Sequence, residues 1–209
     1  MKKNWVILDA MGVVFEEGDD TNNLLIPFIL ERNNQISVER VNELYIKSSL
    51  GLLSAVDFWN EVGLGGYLPK IESEYLDTYI TLDPDFNEVA KELVQLYSLA
   101  ILSNDVMEWS LYLRNRFKIC DFFEYSVISG EVGFRKPDKG IYDCLLDTLG
   151  AKPSECVLVD DRIKNLQQAS ELGFNTILFN RSSTVDPGYQ GLVVHGFKEL
   201  AHKLDNLFK

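Results

Sequence analysis

Short apolar runs that end abruptly at a polar residue recur along the chain. Three such runs are residues 5–8, 99–102 and 156–159, which end at Asp9, Ser103 and Asp160. Continuous apolar runs of this length are typical of strands that are buried on both faces of a parallel sheet. Three further strands are predicted over residues 125–128, 176–179 and 192–194.

Between these runs, the apolar residues recur at helical spacing. Residues 86–97 place Val89, Leu93 and Leu96 on one face. Helices are also predicted over residues 141–149 and 163–172, each followed by a glycine that ends it. Strands that alternate with helices predict an α/β fold, a doubly wound parallel sheet with helices on both faces.

Residues 20–81 carry no buried-strand signal, and their apolar pattern is typical of successive amphipathic helices. The apolar positions are Leu24, Leu25, Phe28, Ile29, Val41, Leu44, Tyr45, Trp59 and Val62. Helices inserted after the first strand would lie over the carboxyl ends of the sheet, where open α/β folds bind ligands. We therefore expect a core domain of residues 1–15 and 84–209 and a helical cap domain of residues 16–83. Residues 181–191 are predicted to form a loop before the last strand and a terminal helix.

The acidic composition limits the partners of the protein. The 209 residues include 32 acidic and 20 basic side chains, a formal net charge of −12, which opposes binding to nucleic acids and anionic membranes. The apolar stretches fall far short of the roughly 20 residues of a membrane span, and Asp9 interrupts the first one too early for a signal peptide. We expect a soluble, cytoplasmic protein, either a monomer or a homodimer. Cys120, Cys144 and Cys156 lack ligand-like spacing and are predicted to be buried free thiols.

The polar residues that end the predicted strands are the candidates for chemistry. They are Asp9, Ser103, Asn104, Asp105, Asp160 and Asp161. Because parallel strands end at one edge of the sheet, these side chains should converge. Carboxylates so close together repel one another unless a cation is present, and Mg²⁺ prefers oxygen ligands. Lys136 is expected near the same edge, where it would neutralise a carboxylate nucleophile and an anionic substrate.

Four motifs with these residues occur in order over nearly the whole chain. They are residues 6–14 around Asp9, residues 100–104, Lys136 in an Arg-Lys-Pro-Asp string, and residues 157–161 followed by Asn165. In this combination the sequence resembles hydrolases of the haloacid dehalogenase (HAD) superfamily, in the subfamily with a helical cap inserted after the first motif. The resemblance implies a HAD-like α/β core and hydrolysis of a small phosphorylated molecule.

The resemblance also implies a role for each matching residue. Asp9 would be the nucleophile, and Lys136 would assist catalysis and bind substrate. Ser103, Asn104 and Gly12 would bind the substrate, with backbone amides near Ser103 holding its phosphate. Asp9, the carbonyl of Met11, Asp160 and Asp161 would hold Mg²⁺.

Position 11 departs from the family pattern. Phosphatases of this kind carry a second aspartate there, which protonates the leaving alkoxide and then activates water. A thioether can do neither, and a positioned general acid contributes about 10²–10⁴-fold to rate. Phosphoesters with poor leaving groups should therefore react slowly unless another group supplies the proton.

Three functions are compatible with these motifs and with methionine at position 11. The first is a Mg²⁺-dependent phosphatase with an aspartyl-phosphate on Asp9. The second is a 2-haloacid dehalogenase, because halide leaves without a proton; a phosphonatase-like reaction through Lys47 is a weaker variant. The third is a HAD fold that binds a ligand or partner protein without efficient turnover.

Other residues have simpler structural interpretations. We expect Asp105 and Asp138 to be structural, His195 and His202 to lie at the surface or be hydrogen-bonded, and Phe58 and Trp59 to form the core of the cap. Residues 51–53 resemble the specificity loop of the family. Because this loop is apolar and lacks arginine, it argues against a strongly anionic distal group on the substrate.

Overall fold

The computed structural model describes residues 4–182 and 189–207, so most of the loop predicted over residues 181–191 lies outside the described residues. The strands are β1 (Trp5–Leu8), β2 (Ser98–Ser103), β3 (Tyr125–Ile128), β4 (Cys156–Asp160), β5 (Asn175–Phe179) and β6 (Leu192–Val194). They form one parallel sheet in the order β3-β2-β1-β4-β5-β6. The predicted α/β class is confirmed, with strand ends within one residue of those expected.

Alternate residues of each strand point to opposite faces of the sheet, and both faces are buried. In β1, Val6 and Leu8 belong to one apolar cluster, while Trp5 and Ile7 belong to the other. The helices outside the insertion are α5 (Phe86–Leu96), α6 (Met107–Arg116), α7 (Ser129–Val132), α8 (Lys139–Leu149), α9 (Ile163–Glu171) and α10 (Phe197–Leu207). Helices α5, α6 and α10 cover the first face, and α8 and α9 cover the second, which is the doubly wound arrangement.

The helix boundaries follow from local sequence. The side chain of Asp138 accepts a hydrogen bond from the Gly140 N–H and so caps α8. Gly150, at φ +55°, ends the same helix in the left-handed conformation. Val89 and Leu93 of α5 are buried as predicted, but the expectation for Leu96 is wrong. Leu96 is 58% exposed, because α5 ends there and the chain turns into β2.

The segment between β1 and β2 is helical, as expected. It contains a π-helical turn at Thr21–Leu25, then α1 (Ile26–Arg32), α2 (Val38–Ser48), α3 (Ala55–Glu61), a 3₁₀ turn at Gly65–Tyr67, and α4 (Lys70–Tyr79). Ser37 and Ser54 cap α2 and α3 by accepting bonds from Arg40 N–H and Asp57 N–H. We call the segment from Thr21 to Tyr79 the helical insertion.

The helical insertion packs on α6 through an aromatic cluster. Phe58 and Trp59 are fully buried in it, as predicted for a cap core. The Trp59 ring lies 5.8 Å from that of Trp109 on α6. Oε2 of Glu72 on α4 accepts a hydrogen bond from each indole, at 2.9 Å from Trp59 and 2.7 Å from Trp109. One carboxylate therefore joins the insertion to the core.

The two linkers of the insertion run side by side. Glu16 N–H donates to the Thr81 carbonyl, and Asp83 N–H donates to the Val14 carbonyl, both at 3.0 Å. The Arg181 guanidinium donates to the carbonyls of Gly12 and Val13 and pairs with Asp83 at 2.5 Å. This arginine therefore fixes the chain after β1 to the returning linker.

The cysteines are free, as expected, but the prediction that all three are buried is wrong. Cys156 is buried in β4, whereas Cys120 and Cys144 are half-buried because they lie on a short turn and on the outer part of α8. Within residues 4–182 and 189–207, every helix falls short of the length and apolar character of a membrane span.

Candidate active site

The carboxylates predicted to converge do meet at one edge of the sheet. The chain leaves β1 toward β2 on one side and reaches β4 on the other, so β1 lies at the switch point of the topology. Leu8 pairs with Val159, which makes the next residues on the two strands, Asp9 and Asp160, neighbours. Carboxylate oxygens of Asp9, Asp160 and Asp161 all lie within 4.8 Å of one another.

Lys136 lies between two of these carboxylates. Its Nζ is 2.8 Å from Oδ1 of Asp9 and 2.7 Å from Oδ2 of Asp160. The three side chains are 1%, 9% and 0% exposed, so both ion pairs are buried. Burial alone would lower the pKa of Lys136, but the charges of Asp160 and Asp9 raise it above its ordinary value. Lys136 is therefore a permanent cation in the site.

Asn104 positions the backbone that carries Lys136. Its side-chain oxygen accepts from the Lys136 N–H at 2.7 Å, and its side-chain nitrogen donates to the Lys136 carbonyl at 2.9 Å. This two-point contact joins the carboxyl end of β2 to the loop before α8. Asn104 also borders the cavity described below, so its predicted role in substrate binding stays a prediction.

Asp160 is held by groups at the start of α9. Its Oδ1 accepts from the Arg162 N–H at 2.8 Å and from the Asn165 side chain at 3.0 Å. The Lys136 ammonium donates to Oδ2. Asp160 therefore orients the lysine while it satisfies a backbone donor of the helix terminus.

The cluster has three carboxylates around a single ammonium. Burial raises the pKa of Asp9 well above its ordinary value, and the charge of Asp160 raises it further against the lowering effect of Lys136. Burial and Asp160 also raise the pKa of Asp161 to about 7. Arg162 is a second cation, with Nε 4.0 Å from Asp161 Oδ1, but the three carboxylates still outnumber the two cations.

The donor set fits a hard divalent cation. Oδ1 of Asp161 is buried and accepts no hydrogen bond, and the three carboxylate oxygens lie close enough to share one ion. Gly12 and Gly18 pack against Asp161, since a Cβ on either would lie 2.4 or 2.2 Å from its Oδ2. Gly12 also has φ +80°, a conformation that favours glycine. These glycines leave the room that the Asp161 carboxylate occupies.

A cavity of about 150 Å³ opens beside the cluster, between the sheet edge and the helical insertion. Of the residues predicted for the site, its lining includes Asp9, Met11, Ser103 and Asn104. Gly12 lies beneath Asp161, outside this lining. The residues that sequence reasoning missed in the lining include Asp20, Asn42, Tyr45, Arg135 and Arg162.

Two arginines, Arg135 and Arg162, border the cavity, whereas the apolar residues 51–53 led us to expect little positive charge near the substrate. Arg135 donates to the Ser49 hydroxyl, and its guanidinium lies 5.6 Å from the centre of the Tyr45 ring. Arg162 donates to the Gly18 carbonyl at 2.7 Å. Both arginines lie on loops outside the helical insertion, so the cavity has cationic side chains although residues 51–53 contain none. Arg135 could have been expected near the site from the sequence, because it directly precedes Lys136.

Asp138, His195 and His202 have the structural or surface positions expected of them. Asp138 is the cap of α8 described above, and Nδ1 of His195 lies 2.7 Å from the Asn180 carbonyl. His202 is exposed. Lys47, considered for Schiff-base chemistry, pairs with Glu43 on the exposed side of α2 and is outside the lining of the cavity.

Comparison with known proteins places this arrangement in a family context. A family model for haloacid dehalogenase-like hydrolases matches residues 6–173. Mouse bifunctional epoxide hydrolase 2 is 40% identical over 67 residues, which are 32% of this chain and only 12% of the mouse protein. Glyceraldehyde 3-phosphate phosphatase of Methanocaldococcus jannaschii is 28% identical over 160 residues, 70% of this chain and 69% of that enzyme.

Solved structures show the same fold over the whole chain. A HAD phosphatase from Thermococcus onnurineus has a TM-score of 0.72 at 20% identity, covering 98% of each chain. A 2-haloacid dehalogenase from Pseudomonas syringae has a TM-score of 0.72 at 14% identity, covering 99% of each chain. Since both a phosphatase and a dehalogenase superpose equally well, the fold does not distinguish between these two reactions.

Proposed function

The chain belongs to the haloacid dehalogenase-like hydrolase family, and we propose that it is a Mg²⁺-dependent phosphatase that acts through an aspartyl-phosphate on Asp9. The observation that carries this proposal is the cluster of Asp9, Asp160 and Asp161 within 4.8 Å around one lysine. Asp160 also orients Lys136, a role that a dehalogenase would share, but a dehalogenase that works without metal would have no use for the third carboxylate, Asp161. A phosphatase requires positive charge at that position.

The residues of the chain divide the work as follows. Asp9 attacks phosphorus, and the bond to the leaving oxygen breaks as the aspartyl-phosphate forms. Lys136 lowers the pKa of Asp9 against the effect of burial, which favours the ionised nucleophile, and it stabilises the negative charge on the phosphoryl oxygens. Ser103 lies at the end of β2, where it borders the cavity beside Asp9. When bound by Asp9, Asp160, Asp161 and the Met11 carbonyl, Mg²⁺ supplies further charge against the phosphoryl oxygens.

The cavity favours a small, polar phosphomonoester. Its volume of about 150 Å³ leaves room for few atoms beyond a phosphate group, and its walls carry Asn42, Tyr45 and Arg135. Hydrogen-bonding side chains of this kind suit hydroxyl or carbonyl groups on the substrate. Arg135 also suits a partly anionic group, in contrast to the expectation from the cap loop.

We propose further that the helical insertion is a cap on the active site. Residues 16–83 would form this cap, and residues 1–15 and 84–209 the core. The contact between the Tyr45 hydroxyl of α2 and the Asn104 carbonyl, at 3.3 Å, joins the insertion to the edge of the sheet that carries Ser103. A cap over this edge would exclude bulk water from the site while the aspartyl-phosphate forms.

A 2-haloacid dehalogenase is the second candidate, because Met11 borders the cavity where phosphatases of this family place an aspartate. Halide needs no proton to leave, so the substitution would have no cost in that reaction. Asp9 would form an ester with carbon in place of phosphorus.

The two candidates are separated by metal dependence. Purified protein is assayed with p-nitrophenyl phosphate and with 2-chloropropionate, each in the presence of Mg²⁺ and of EDTA. The phosphatase proposal expects Mg²⁺-dependent release of nitrophenolate that Asp9→Asn abolishes. Asp143→Asn is the matched control, since this half-exposed carboxylate on α8 pairs with Lys139 at the surface and lies outside the cavity lining. Chloride release that EDTA does not affect would instead establish the dehalogenase.

A further inference from the structure

Asp20 is a buried carboxyl group that borders the same cavity as Asp9 and Met11. It stands directly before the π-helical turn that begins the helical insertion, and only 6% of it is exposed. Position 11 offers no proton to a leaving group, so any donor must come from elsewhere in this lining. Asp20 could not be singled out from the sequence, because its local pattern is that of an ordinary helix start.

The surroundings of Asp20 suit a carboxyl group that gains and loses a proton near neutral pH. Burial raises its pKa to about 7; Arg162 opposes the rise, as does a hydrogen bond from the Thr21 N–H, while Asp19 and Glu17 add to it. The charged and titratable groups that face it from other elements are Tyr45, Tyr75 and Asp105, besides Arg162. A carboxyl group with this pKa is half protonated when the enzyme works at neutral pH.

The other titratable groups of the lining are less suited to proton transfer. Asp9 is the nucleophile and pairs with Lys136. Asp19 is exposed and binds the Asn22 side-chain amide. Burial raises the pKa of Tyr45 well above its ordinary value, and its hydroxyl donates to the Asn104 carbonyl. Among the described residues that border the cavity, Asp20 thus combines burial with a carboxyl group free of side-chain ion pairs closer than 4 Å.

We infer that Asp20 is the general acid and base of the reaction, in place of the carboxyl group that position 11 lacks; this inference rests on the proposed phosphatase function. In the first step the Asp9 carboxylate bonds to phosphorus, the P–O bond to the leaving group breaks, and the leaving oxygen takes the proton of the Asp20 carboxyl group. In the second step water attacks the aspartyl-phosphate, gives one proton to the Asp20 carboxylate, and releases phosphate and the Asp9 carboxylate. The Asp20 carboxyl group is thereby restored.

The test is a leaving-group series on Asp20→Asn in the full-length protein with Mg²⁺. p-Nitrophenyl phosphate has a weakly basic leaving group, and an alkyl phosphate has a strongly basic one. Asp20→Asn should lose about 10²–10⁴-fold in kcat/KM on the alkyl phosphate. With p-nitrophenyl phosphate it should still release a rapid burst of one nitrophenolate per active site, followed by slow turnover, because only the second step then needs a base.

Asp143→Asn is the matched control, since Asp143 lies on α8 outside the cavity lining and pairs with Lys139 at the surface. It should keep the wild-type dependence on the leaving group. A burst from Asp20→Asn shows that the variant is folded and that Asp9 works. If Asp20→Asn hydrolyses the alkyl phosphate as fast as Asp143→Asn does, the inference is overturned.

Wild-type enzyme provides a measurement that does not depend on the variant. Single-turnover transfer from the alkyl phosphate should slow as the pH rises through about 7, because the acid loses its proton, while the nitrophenolate burst should not. Equal pH profiles for the two substrates would contradict the role of Asp20. Absence of any Asp9-dependent phosphatase activity would instead refute the proposed function itself.

Discussion

Replacement of Lys136 by methionine removes the one ammonium group that lies between Asp9 and Asp160. Methionine keeps the length of the side chain and its apolar stem, so the change is mainly one of charge. Both ion pairs of Lys136 are buried, with exposed fractions of 1% for the lysine and 9% and 0% for its partners. Loss of one partner from a buried ion pair costs about 3–5 kcal/mol. We expect the free energy of unfolding to fall by about that amount at pH 8 without metal.

The matched control is Lys139→Met, three residues along the chain. Lys139 pairs with Asp143 at 2.5 Å, but the two side chains are 61% and 49% exposed. An exposed ion pair contributes less than about 1 kcal/mol, so this variant should unfold almost as the wild type does. Urea denaturation followed by circular dichroism, with EDTA present, measures both variants.

The pH dependence of Lys136→Met provides a second measure of the same interaction. The pKa of Asp9 is already raised in the folded wild type, and loss of the nearby ammonium raises it further. The folded variant therefore binds a proton at Asp9 more tightly than the unfolded chain does, and its stability should recover as the pH is lowered from 8 to 5. If Lys136→Met loses no more stability than Lys139→Met, the reasoning that the lysine compensates buried carboxylates is wrong.

Three further predictions concern other parts of the site. Burial, with the charge of Asp20, raises the pKa of Asp105 to about 8, so the folded state binds the Asp105 proton more tightly than the unfolded chain does. The free energy of unfolding should therefore fall by up to about 1.4 kcal/mol for each pH unit as the pH rises from 4 to 8. Asp105→Asn should flatten this slope in urea titrations. Gly12→Ala should weaken Mg²⁺ binding about 5- to 150-fold by calorimetry, since its Cβ would lie 2.4 Å from Asp161 Oδ2 and strain at such a position costs about 1–3 kcal/mol. Gly133→Ala, with φ +76° and open space around it, should leave binding unchanged. Met11→Asp should restore alkyl phosphate hydrolysis to Asp20→Asn, and failure of this rescue would contradict our account of position 11.

The strands and their convergent ends were predictable because burial on both faces requires a continuous run of apolar residues. A strand with both faces buried must be apolar throughout, so residues 5–8 and 156–159 were identified almost to the residue. Strand β2 is longer than predicted because Ser98 and Ser103 continue the backbone hydrogen bonds despite their hydroxyl groups. Parallel pairing then brings Asp9 and Asp160 together with no further information.

The cavity wall opposite these residues was not predictable in the same way. Asp20, Tyr45 and Arg135 reach the cavity because the helical insertion folds back over the sheet, and that placement depends on packing between α4 and α6. Helical periodicity shows which residues of α2 are buried, but not which buried residues border a cavity. For the same reason, the contact between the Asn104 side chain and the Lys136 backbone could not be read from the sequence.

The hydrogen bonds of Glu72 should make the intrinsic tryptophan fluorescence of the protein sensitive to the contact between the insertion and the core. Two of the three tryptophans in the chain, Trp59 and Trp109, donate to this one group from opposite sides of the joint between insertion and core. Any rotation of the insertion away from the sheet must part Glu72 from Trp109 and admit water to an indole that is now 3% exposed. If the proposed cap opens and closes, tryptophan emission in a stopped-flow experiment should follow that motion in unlabelled enzyme.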